Sequence, residues 1–102
     1  MEFKTVVDSG CATVHLDGRL AYGVYPDFRA ATLAALEHPA ATRIQLDMSG
    51  VTFLDSSVLG MILYFNQKAR AAHKELAIVR PSAQVAEVLK IVNFSKLVPI
   101  LP

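Results

Sequence analysis

The chain has 102 residues, enough for one domain with one core and too few for a separate catalytic or regulatory domain beside it. With 53% hydrophobic and 19% charged residues and few Gly and Pro, the composition excludes a disordered or linker-like polymer. The formal net charge of +1, with Lys and Arg scattered and never gathered into a stripe beside aromatics, argues against a nucleic-acid partner, because the phosphate attraction that such binding depends on is missing.

The N-terminus, Met-Glu-Phe-Lys-Thr-Val-Val, lacks a basic region followed by an apolar one, so the sequence predicts no secretory segment and a cytoplasmic protein. Phe3 to Val7 and Cys11 to Leu16 read as two strands joined by the turn Asp8-Ser9-Gly10, an opening hairpin. Cys11, the only cysteine, excludes an internal disulfide and is expected to be a buried, inert thiol. Asp17 to Leu20 leads into a loop, Ala21 to Tyr25. Pro26 suits the first position of a helix, since it has no N–H to leave unsatisfied. That helix should run to about Glu37, with Phe28, Ala31, Ala35 and Leu36 as its apolar stripe and His38-Pro39 as its stop.

Ile44, Leu46 and Met48 then alternate with Gln45 and Asp47 as a strand, followed by a turn before Asp55-Ser56-Ser57. A second helix is expected from Ser56 to about His73, with Val58, Met61, Ile62, Phe65, Ala69 and Ala72 on one core-facing stripe. Its apolar run, Val58 to Phe65, is about eight residues against the roughly twenty that cross a bilayer, so no membrane insertion is expected. Leu76 to Val79 forms a further strand. Ala83 to Val92 forms a third helix with Val85, Val88, Leu89 and Val92 inward, and Leu97 to Leu101 a terminal extended segment. The alternation after the hairpin predicts an α/β domain over residues 1–102: a mixed sheet of four to five strands with helices packed against it.

Asp55, Ser56 and Ser57 directly precede the apolar run, which places them at the first turn of the second helix, where backbone N–H groups are free and the dipole favours negative charge. A phosphate on a hydroxyl there would be well tolerated. The same tripeptide is also ordinary capping, with Asp55 accepting N–H bonds from the next turn, and the two roles are compatible. From Ser56, successive turns present Gly60, then Leu63 and Tyr64, then Gln67, a mixture of small, aromatic and polar groups suited to docking.

The run Leu46-Asp47-Met48-Ser49-Gly50-Val51-Thr52-Phe53-Leu54-Asp55-Ser56-Ser57-Val58-Leu59-Gly60-Met61-Ile62-Leu63 resembles the signature of STAS domains of the bacterial anti-sigma factor antagonist family. Size and element order agree with that resemblance over the whole chain. It implies a non-enzymatic partner switch without cofactor or small-molecule substrate. Unphosphorylated antagonist binds a serine-kinase anti-sigma factor and frees a sigma factor, phosphorylation blocks binding, and a PP2C-type serine phosphatase reverses it. The family's phosphoacceptor follows the motif aspartate, which here makes it Ser56. Asp55, Ser57 and Asp47 match the supporting positions, and Tyr22, Gly23, Val58, Gly60, Leu63, Tyr64 and Gln67 would form the partner-binding surface.

Two positions depart from the family pattern. Val58 stands where glycine is usual and narrows the space for a kinase or a partner's backbone, and the loop Ala21 to Tyr25 offers two tyrosines in place of an acidic residue. An alternative consistent with the resemblance is a constitutive STAS scaffold or accessory subunit of a stress-sensing or lipid-transport complex.

Other chemistry is thinly represented. His15, His38 and His73 lie in different expected elements without Cys or paired carboxylates at ligand spacing, so no metal is expected. No nucleophile elbow or phosphate-binding glycine loop occurs, and Glu37, Glu75 and Glu87 read as solubilising charges.

Overall fold

The computed structural model describes residues 3–102, apart from the side chain of Tyr22. Met1 and Glu2 lie outside the described residues. The strands are β1 (Lys4–Asp8), β2 (Cys11–Leu20), β3 (Arg43–Leu54), β4 (Glu75–Val79) and β5 (Ile100–Leu101). The helices are α1 (Tyr25–Glu37), α2 (Ser56–Ala71) and α3 (Ala83–Ile91), with 3-10 turns at Tyr22–Val24 and Phe94–Lys96.

The strands form one sheet in the order β1-β2-β3-β4-β5, antiparallel between β1 and β2 and parallel elsewhere. The opening hairpin turns through Ser9 and Gly10, both at positive φ (53° and 80°), the backbone that a two-residue loop between twisted strands requires. Each later connection crosses through a helix and steps in the same direction, and right-handed crossovers of that kind put all three helices on one face. On that face Ala12, Val14, Leu16, Ile44, Leu46, Leu76 and Ile78 meet Phe28, Ile62, Phe65, Val85 and Leu89 in a single core. Phe28 of α1 and Phe65 of α2 meet edge to face, centroids 5.5 Å apart at 85°, a favoured arrangement of ring quadrupoles. Lys74 Nζ donates to the carbonyls of Leu36 (2.6 Å) and His38 (3.0 Å), satisfying the C-terminal end of α1 with a cation.

Several expectations are corrected by packing. No turn separates the strand from Asp55: β3 continues to Leu54, and β2 continues to Leu20 beside it, with register shifts between His15 and Asp17 and between Gly18 and Arg19. A Cβ on Gly50 would lie 3.0 Å from the Asp17 Cβ, so glycine here permits a close strand approach instead of a reversal. The two irregularities keep Val51 and Leu54 in the core and turn Phe53 outward. Cys11 is only partly buried, since it alternates onto the helix-free side of β2 with Thr13 and His15. On α1 the buried residue between Phe28 and Ala35 is Thr32, while Ala31 is only partly covered. On α2, Leu59 and Asn66 are buried, whereas Ala72 falls beyond the helix and is exposed. Val92 lies past the end of α3 and is exposed, so Val85 and Leu89 carry that helix's burial.

Candidate functional site

β3 ends at Leu54, which pairs with Leu20 at the end of β2, and the Asp55 N–H donates to the Leu20 carbonyl at 3.2 Å. The chain therefore enters α2 from a position fixed by two strands. Asp55 is the N-cap, with extended φ −92° and ψ 167°, and its Oδ1 accepts from the Val58 N–H at 3.0 Å and from the Ser57 hydroxyl at 2.8 Å. Ser57 is thus tied into the cap.

Ser56 occupies the first helical position and is exposed. Its hydroxyl stands in water beside the unsatisfied N–H groups of the first turn, where the helix dipole is most favourable to an anion. Asp55 matches a position that supports the family's phosphoacceptor, yet the hydroxyl that the geometry places on its carboxylate is that of Ser57.

Along α2, Ser56, Gly60, Tyr64 and Gln67 are exposed and Leu63 is half-buried, so the expected ridge exists as a continuous surface. A Cβ on Gly60 would meet nothing within 4 Å, which leaves that turn open to a partner's backbone. Tyr64 is 43% exposed, and Lys68 lies over its ring with Nζ 5.5 Å from the centroid. Gly23 is exposed in the 3-10 turn that directly follows the anchored end of β2; the side chain of Tyr22 lies outside the described part of the structure.

Two assigned residues are elsewhere. Val58 is 0% exposed and packs in the core, so its branched side chain fills the space under the helix start and cannot touch a partner. Asp47 lies eight residues before Asp55 on β3, on the order of 20 Å away at strand rise, and so does not support the Ser56 hydroxyl. It sits on the helix-free face, 4% exposed. Its Oδ2 accepts from Arg80 Nη2 at 2.7 Å and Nε at 3.2 Å and lies 3.1 Å from His15 Nδ1, while its Oδ1 accepts from the Ser49 N–H at 3.0 Å. Burial pushes the Asp47 carboxyl up, but the Ser49 N–H and the Arg80 guanidinium outweigh it and hold the pKa at about 2. Arg80 has φ +48°, a left-handed turn after β4 that brings its side chain back over this face.

The sequence reading missed Phe53 and Arg19. They pair across β3 and β2 two residues before the cap, with the guanidinium 4.3 Å from the ring centroid and Phe53 40% exposed. An aromatic directly before Leu-Asp-Ser was visible in the sequence; its outward direction depends on the register shift and was not.

Residues 4–99 match the family described as Mlab, STAS domain. A STAS-domain containing protein of Pseudomonas aeruginosa (strain UCBPP-PA14) is 34% identical over 87 residues, covering 83% of this chain and 82% of that protein. Among solved structures, a putative anti-sigma factor antagonist from Thermotoga maritima aligns with a TM-score of 0.85 at 22% identity, covering 98% of this chain and 86% of the other. The anti-sigma factor antagonist SpoIIAA in its unphosphorylated form aligns with a TM-score of 0.72 at 22% identity and the same coverage. At such identities these structures establish the fold.

Proposed function

The chain belongs to the STAS domain family, and from that premise we propose that it is a phosphorylation-controlled binding protein, an anti-sigma factor antagonist switched at Ser56. The observation that carries this reading is the division of labour at the start of α2: Asp55 and Ser57 close the cap on each other, while Ser56 is left exposed at the dipole's positive end. In its unmodified form the ridge of Ser56, Gly60, Leu63, Tyr64 and Gln67 docks on a serine-kinase anti-sigma factor, with Gly23 and Phe53 at its margin. The kinase supplies ATP and magnesium, and a PP2C-type serine phosphatase restores the hydroxyl. The chain itself carries out no reaction and takes no small-molecule substrate or nucleic acid.

The physics of such a switch needs no rearrangement of the fold. A phosphate adds roughly −1.5 to −2 charges and three acceptors, which the first-turn N–H groups accommodate, so the free protein changes little. Under a partner the same dianion must be stripped of water beside the Asp55 carboxylate. A penalty of about 3 kcal/mol weakens binding more than a hundredfold.

The test is intact-mass and site mapping of the endogenous protein, together with affinity measurement of wild type, Ser56→Ala and Ser56→Asp against the captured kinase. Phosphate on Ser56, with binding kept by Ala and lost by Asp, is the expected result. An unmodified Ser56 and equal binding by all three proteins would reject the switch and leave a constitutive accessory subunit.

A further inference from the structure

β1 (Lys4–Asp8) is an edge strand whose five residues are all exposed, and among the described residues its sheet partner is β2 alone. The opposite edge is guarded differently, because β5 is only two residues long, a common device against unwanted pairing. β1 has neither a bulge nor a proline, and it exposes two valines, Val6 at 42% and Val7 at 37%.

The direction of its free hydrogen-bonding groups follows from the hairpin. A two-residue loop makes its flanking residues, Asp8 and Cys11, a hydrogen-bonded pair, and bonded pairs alternate from there. Lys4, Val6 and Asp8 therefore direct their N–H and C=O groups at β2, while those of Thr5 and Val7 point away from the sheet. A second antiparallel strand on this edge must bond through Thr5 and Val7.

We propose that the occupant of this edge is β1 of a second copy of the chain, in a two-fold pairing centred on Val6. In that register Thr5 of each copy exchanges both backbone bonds with Val7 of the other, and the two Val6 side chains meet across the axis at the close, non-bonded spacing. Lys4 of each copy then stands opposite Asp8 of the other, so the two charges that would guard the edge neutralise each other twice. Slipping by two residues leaves Lys4 without Asp8, and slipping by one misaligns the bonding groups and turns the side chains to opposite faces. Charge and bonding pattern thus select one register. The product is a continuous ten-stranded sheet with both helix layers on the same side of it. β1 carries none of the residues assigned to the Ser56 surface, so the two proposals stand or fall separately.

Sedimentation velocity of the full chain from micromolar to millimolar concentration tests it. The mass should rise from 11.1 kDa toward twice that value. Lys4→Asp and Asp8→Lys should each weaken association about tenfold, by setting like charges opposite each other twice, and the double variant should restore it. Thr5→Pro should abolish the dimer while circular dichroism stays unchanged, since the lost N–H faces away from β2. A chain that is monomeric at millimolar concentration, or a dimer indifferent to the charge reversals, would overturn the proposal.

Discussion

Asp47 and Asp55 stand eight residues apart in one strand-to-helix run, yet they occupy opposite situations. Asp55 is partly exposed, closes a helix cap and sits beside a free hydroxyl. Asp47 is buried on the helix-free face and gathers Arg80, His15 and the Ser49 N–H in one polar cluster. The contrast shows how one residue type serves a surface where charge can be added and a sheet where charge must already be paired.

The largest separation between the two regions should appear on Ser56→Asp. Partner affinity should fall more than a hundredfold while urea unfolding of the free protein changes by no more than about 0.5 kcal/mol. A comparable loss of stability would mean that Ser56 is built into the fold in the way that Asp47 is.

Asp47→Ala should do the reverse, costing about 2 kcal/mol in urea unfolding because Arg80 and the Ser49 N–H lose their acceptor, with partner affinity unchanged. Arg80 is 54% exposed in its side chain, and water limits the cost to this figure instead of that of a fully buried pair.

The same cluster should set the acid limb of stability. The folded Asp47 carboxyl has a pKa of about 2 against an ordinary 3.8, so on acidification the unfolded chain takes up the proton first. Stability from this group is fully present above about pH 4 and is lost between there and pH 2, amounting to about 2 kcal/mol. Asp47→Asn should flatten that limb of the unfolding profile; an unchanged profile would place the acid sensitivity elsewhere.

The smallest effects belong to the cap. Asp55→Ala should cost about 1 kcal/mol, the usual value of an N-cap carboxylate, and Ser57→Ala only a few tenths, because its bond is exposed to water. Thermal unfolding should rank the pair in that order.

Much of this molecule was legible from short-range signals. The hairpin followed from Ser9-Gly10, the start of α1 from Pro26, and the start of α2 from Asp55, since turns and caps are made by residues within three or four positions of one another. The exposed ridge from Ser56 to Gln67 was legible for the same reason, because helical period alone assigns a face. The roles of Asp47, Phe53 and Val58 were not. Asp47 depends on Arg80, 33 residues away, and on a left-handed residue that turns the guanidinium back. Phe53 faces water because of a register shift, and Val58 is hidden because the core closes beneath the first turn.

The sequence by itself thus determined the order of the elements, the family and the candidate hydroxyl, each written in contiguous residues whose geometry is set by backbone chemistry. Only the tertiary structure decided which hydroxyl the Asp55 carboxylate holds, which face of the sheet carries no helix and which strand lies at its edge. Those properties depend on strand register and on partners distant in the chain, and no local pattern of residues encodes the distance between them.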